Sequence, residues 1–118
     1  MDYKSIYEKI LNIDAKIRYV TICDMDGRIT QTGHRKGVKH ILSRGESIDA
    51  ITMATNSWKL RNKVSGKIGK GKYAIAEYEK IKRITIPFGV EHLIYLTTEA
   101  DADHSKIIDN IIKYLSEF

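Results

Sequence analysis

The sequence predicts an α+β fold of order α-β-β-α-β-β-β-α: a five-stranded antiparallel sheet with helices on both faces. Three observations predict it. Residues 17–32, IRYVTICDMDGRITQT, read as two short strands joined at Asp26-Gly27, because an Asp-Gly pair between strand-like runs signals a tight hairpin, a type I′ turn needing positive φ at both central residues. Three further strand-like runs, over 73–79, 82–88 and 92–97, follow one another with no helix between them, which favours antiparallel pairing over βαβ crossovers. Apolar stripes at helical spacing stand near both ends and in the middle of the chain, and a sheet covered on both faces buries all three.

Residues 2–15 form the first predicted helix, with Tyr3, Ile6, Tyr7, Ile10, Leu11 and Ile13 on one side and Asp2 at the start, where an acid suits the helix dipole. Its polar face carries Lys4, Glu8, Lys9 and Asp14, a balanced set unlike that of a membrane-surface helix. The strand predicted over 17–23 lacks clean alternation, so it is expected to be covered on both faces and central; 28–32 is short and polar, as an edge strand is. Residues 33–46 read as a glycine-punctuated connection holding His34, Arg35, Lys36, Lys39 and His40. A helix is expected from Ser47, as N-cap, to Val64, with Asp49 in its first turn. Ile48, Ile51, Thr55, Trp58 and Asn62 share one side of it and Met53 and Leu60 lie on another, so it should rest on the sheet and leave one side open. Residues 65–72, SGKIGKGK, read as a loop. Pro87 ends its strand, where a missing N–H matters least, and the apolar run HLIYLT is expected beside the first strand. Asp103 caps a last helix reaching Ser116, with Ile107, Ile108, Ile111, Ile112 and Leu115 on one stripe. The two terminal helices are expected on one face of the sheet and the middle helix on the other.

With 118 residues, 42% hydrophobic and 30% charged, the composition is that of a globular chain, read as one domain over 1–118. No apolar run approaches the roughly 18 residues of a membrane span, and the opening MDYKSIYEKI lacks the apolar stretch of a signal peptide. The single cysteine, Cys23, excludes an intrachain disulfide and reads as a buried thiol; a cytoplasmic location is the expectation. The net charge of +5 is uneven: residues 59–83 sum to +7 and residues 91–118 to −4. That asymmetry suggests an anionic partner or a pole-to-pole contact with a second copy, against the plainer reading of a solvated charged surface.

The hairpin IRYVTICDMDGRITQTG resembles the opening of roadblock domains, and the element order resembles the roadblock fold within the wider longin and profilin-like group. The stretch from Asn56-Ser57-Trp58 through Arg83, with GKGKYAIAEYEKIKRITIP, also looks like small archaeal proteins of unassigned function. The roadblock resemblance implies a non-enzymatic interaction protein that pairs through its middle helix and third strand and scaffolds or regulates small GTPases. Carried onto this chain, the homodimer interface would use Met53, Trp58 and Leu60 in the helix with Tyr73 and Ile75 in the strand.

Other chemistry has weaker local support. Asp24-Met25-Asp26-Gly27 after an apolar strand mimics the nucleophile motif of haloacid-dehalogenase-type phosphatases, whose first aspartate attacks phosphorus beside Mg²⁺. That scaffold needs alternating parallel βαβ units, which this order does not offer, so a hairpin turn is the preferred reading. Residues 66–71, GKIGKG, have the composition of a phosphate-cradling loop, yet they lack the Gly-Lys-Ser/Thr ending that opens a helix. A second hypothesis is a ligand-sensing module holding a nucleotide or small anion on Arg35, Lys36, Lys39, Lys67 and Lys70. A third is weak nucleic-acid binding through the 59–83 segment, with Tyr73, Tyr78 and Tyr95 stacking on bases between Lys72, Lys80, Lys82 and Arg83. His34, His40, His92 and His104 show no metal-ligand spacing, and neither a metal nor a cofactor is expected.

Overall fold

The computed structural model describes residues 1–118. In chain order the elements are α1 (Tyr3–Leu11), β1 (Ile17–Asp24), β2 (Ile29–His34), α2 (Arg44–Asn62), α3 (Ser65–Ile68), β3 (Ala74–Glu77), β4 (Ile81–Phe88), β5 (His92–Glu99) and α4 (His104–Leu115). All strands join one antiparallel sheet in the order β2-β1-β5-β4-β3. The architecture is the expected one, with a single added helical turn, α3, inside the segment read as a loop.

Local chemistry sets the boundaries. Asp2 and Asp103 cap α1 and α4, accepting from the backbone N–H of Ser5 and Lys106. The cap of α2 is Ser43, not Ser47, and the helix starts at Arg44. The Ser43 hydroxyl accepts from Glu46 N–H and the Glu46 carboxylate accepts from Ser43 N–H, a reciprocal box written in the sequence as S-R-G-E. The β1–β2 turn also differs from expectation. Only Gly27 has positive φ (84°); Asp26 does not, so the turn is not type I′. Gly27 N–H donates to Asp24 C=O, Asp24 N–H to Arg28 C=O, and the register slips between Ile22 and Cys23. These are the features of a three-residue loop closed by a left-handed glycine.

Each face of the sheet has its own apolar cluster. On one face Ile6 and Ile10 of α1 and Ile107, Ile108, Ile111 and Leu115 of α4 pack on β1, β4 and β5. On the other, α2 places Ala50, Ile51, Ala54 and Trp58 against Cys23, Leu93 and Tyr95. The alanines let α2 approach the strands, and Trp58, 1% exposed, anchors it by donating its indole N–H to the Thr85 hydroxyl at 2.8 Å. β3 stops at the level of Thr85, so Pro87 lies beyond that ladder, where its missing N–H breaks no pairing with β3.

Trp58 also dictates a glycine. A Cβ on Gly71 would lie 2.5 Å from the buried indole ring, whereas a Cβ on Gly66 would meet nothing within 4 Å. Gly71→Ala is expected to destabilise the fold by about 1–3 kcal/mol, as over-packing does, and Gly66→Ala, inside α3, to be neutral or stabilising by up to about 1 kcal/mol. Urea midpoints at constant slope measure both.

Candidate functional site

An exposed apolar surface borders the β3 edge. β3 pairs on one side only, with β4, so the outer side of its backbone joins no ladder. Beside it runs the flank of α2 that faces away from the sheet: Met53, Leu60 (62% exposed) and, just past the helix end, Val64. A shallow groove of about 130 Å³ separates helix and strand, between Met53, Ser57 and Arg61 on one side and Ala74 and Ala76 on the other. The Arg61 guanidinium lies over the Trp58 ring, 4.9 Å from its centroid, closing the core beneath the groove. Ile68 and Tyr73, both exposed, extend the patch along the α3 turn.

Of the five residues expected at a dimer interface, three stand here: Met53, Leu60 and Tyr73. Trp58 does not, because it fills the core under α2, and no partner can reach it. Ile75 alternates to the other face of the sheet and packs against the α1/α4 cluster. Val64 joins them on the patch: its spacing from Met53 and Leu60, eleven and four residues, puts all three on one helical side.

The five expected anion-binding residues do not converge. Arg35 is committed to backbone: its Nε donates to Ile17 C=O at 2.9 Å and its Nη2 to the carbonyls of Leu11 and Asp14 at the end of α1. Lys36 and Lys39 lie at the start of β1, where Arg18 donates to Lys39 C=O. Lys67 and Lys70 follow the far end of α2, which reaches the opposite end of β1 through the Lys59–Asp26 pair at 3.5 Å.

The stacking face is not assembled either. Tyr95 is buried under α2, and the Arg83 guanidinium lies over Tyr78 and Tyr95, 5.2 and 5.8 Å from their centroids. Lys82 is buried on the far side, donating to Ala102 C=O at 2.7 Å and to His104 Nδ1 at 2.9 Å. Tyr73 and Tyr78 remain half exposed without it.

Asp24 works as a turn residue. Its Oδ1 accepts from the N–H groups of Arg28 and Asp26, both at 2.9 Å, and the Arg28 N–H above all holds its carboxyl below the usual carboxylate range. Asp26 pairs with Lys59. The neighbouring Cys23 is fully buried, and burial pushes its thiol up to about 11. His34 and His40 do meet, rings 5.1 Å apart, both against Tyr19, whose hydroxyl hydrogen-bonds His40 Nδ1. No third ligand joins them.

An antiparallel five-stranded sheet with paired terminal helices on one face and a single helix on the other is the roadblock/profilin-like fold. The solved structures agree. The gliding protein MglB from Thermus thermophilus superposes with a TM-score of 0.76 at 15% identity, over 97% of this chain and 82% of that one. A Roadblock/LC7 domain from Streptomyces avermitilis gives 0.70 at 11% identity, over 99% and 95%. A Schizosaccharomyces pombe profilin gives 0.66 at 13%, over 98% of each. At such identities the likeness is one of fold. No family model matches the chain, and no curated protein matches it in sequence.

Asp24→Ala is expected to lower the unfolding midpoint at neutral pH. Because the folded-state carboxyl is held low, its contribution is present above the ordinary aspartate range and is lost as pH falls from there through the lowered folded-state value. The gap between the two proteins should therefore narrow in acid, as thermal unfolding at pH 7 and pH 3 will show.

Proposed function

We propose that this chain is a non-enzymatic scaffolding or regulatory protein that works as a homodimer. Two copies would meet across a two-fold axis, β3 against β3, with the Met53–Leu60 flanks of α2 packed together above them. The observation that supports this is the coincidence of an unpaired strand edge with an exposed apolar helix flank at one place. Either alone is common; together they are what sheet extension between identical subunits requires. The roadblock likeness points the same way and suggests a small GTPase as the regulated partner. The setting we infer is cytoplasmic, in keeping with a lone buried thiol. The anion-sensing and nucleic-acid readings lack such support, since the residues each needs are dispersed or buried.

The electrostatics add a specific expectation. The segment bordering the patch carries Lys59, Arg61, Lys63, Lys67, Lys70 and Lys72, so a two-fold axis here brings cations toward cations. Apolar burial must overcome that repulsion, and salt screens it, with a Debye length of about 10 Å at 0.1 M. Sedimentation velocity at micromolar concentration should show a dimer whose dissociation constant falls as salt rises from 50 to 500 mM, roughly. Leu60→Glu or Met53→Glu should give a monomer with its circular dichroism spectrum unchanged. A wild-type monomer under all these conditions would end the proposal.

The partner is tested separately. A small GTPase encoded beside this gene, purified and titrated calorimetrically in its GTP- and GDP-loaded forms, should bind the dimer with a clear preference for one nucleotide state. Equal affinity for both, or none, would remove the GTPase role and leave the dimer standing.

A further inference from the structure

The other flank of α2 covers a recess that the dimer reading does not use. Between the first half of α2 and the sheet lies a cavity of about 360 Å³, at the lower end of small-molecule sites, which span about 300–1,000 Å³. It exists because α2 settles on Cys23, Leu93 and Tyr95, leaving the same face of β2 without a helix above it. Buried Ile51, Tyr95 and Thr97 belong to its inner lining. Ile29, Ile41 and Ile48, each about half exposed, come from β2, the α2-leading segment and α2, and ring its opening. Three isoleucines from three separate elements, each left half in water around one concavity, are an apolar surface awaiting a cover.

The polar groups say what kind of cover. The lining includes two arginines and no acid. Arg18, at the start of β1, is neutralised by Glu99 at 2.9 Å and donates to Lys39 C=O. Arg44, in the first turn of α2, has no ion-pair partner. The recess therefore carries a balance of one positive charge. Thr97 adds a buried hydroxyl with no hydrogen-bond partner. One uncompensated guanidinium beside an apolar hollow is complementary to a monoanion with a hydrocarbon body. A carboxylate matches the Arg fork with two parallel N–H···O bonds, whereas a phosphomonoester would bring a second, unmatched charge.

We propose that this recess binds an amphiphilic monocarboxylate, its hydrocarbon chain among Ile29, Ile41, Ile48 and Ile51 and its carboxylate on Arg44. The site lies on the β2 side of α2 and the dimer patch on the β3 side, so the two ideas stand or fall apart.

The test uses the full chain with decanoate below its micelle concentration, followed by amide NMR shifts and calorimetry. Decanol, decyltrimethylammonium and decyl phosphate serve as probes of the head group. One decanoate per chain should bind saturably, with shifts centred on Ile41, Leu42, Ser47, Ile48 and Thr97. Decanol should bind about tenfold more weakly, the scale of one charge-assisted contact, and the ammonium not at all. Arg44→Gln should weaken decanoate by about tenfold and leave decanol unchanged, a split that a merely structural arginine would not produce. Ile48→Asp, at an exposed position, should abolish binding with the unfolding midpoint retained. The proposal is overturned by no saturable binding, by equal affinity for all four probes, or by decyl phosphate binding more tightly than decanoate. It is equally overturned by shifts centred elsewhere, by indifference to both substitutions, or by shifts at the recess that follow protein concentration without ligand, which would make a second copy the cover.

Discussion

Strands β1 and β5 pair from Ile17↔Thr98 to Asp24↔His92, and most of their residues are buried. This ladder decides the rest. Two adjacent strands apolar on both faces cannot sit beneath one layer of helix, so the chain must supply cover from both sides. It does so with its two ends on one face, α1 and α4, and with its middle, α2, on the other. The pairing also joins segments separated by more than half the chain, so the central ladder closes a long loop and folding should be slower than for a helical bundle of this size.

Three of the twenty lysines and arginines are structural. Arg35 closes the carbonyl end of α1, Arg18 ties the α2-leading segment to β1 and to Glu99, and Lys82 binds the turn before α4 through Ala102 C=O. Each is a long cation threading from one element to the backbone of another, where an unmatched carbonyl would otherwise be buried. A count of lysines and arginines therefore overstates what is left for a partner. The densest run of basic residues left, Lys63, Lys67, Lys70 and Lys72, follows α2 and leads into β3.

The architecture could be read from the sequence because its signals are local and repeated: isoleucines at helical spacing in α4, three strand runs without an intervening helix, an Asp-Gly turn. Boundaries were less legible. Gly45 disguised the Ser43–Glu46 box as loop, and the Asp24 side chain took over hydrogen bonds that a type I′ turn would have made through backbone. The exposed patch was half legible. Met53 and Leu60 stand apart from the sheet-facing residues by helical angle alone, so their exposure follows from sequence. Trp58 could not be placed that way: a large aromatic on a helix flank serves a partner or a core equally well, and only Thr85, 27 residues away, settles it as core. The recess was invisible because it depends on where α2 comes to rest over β1 and β5, a tertiary fact with no local signature.

Cys23 sits in the middle of all this, sealed by α2 on the central ladder, its sulfur held as the unreactive thiol. It becomes an alkylating target only when α2 lifts or the molecule opens entirely. The rate at which a small electrophile consumes it thus clocks that opening from within, without any engineered label, and a ligand or second subunit that clamps α2 would slow the clock.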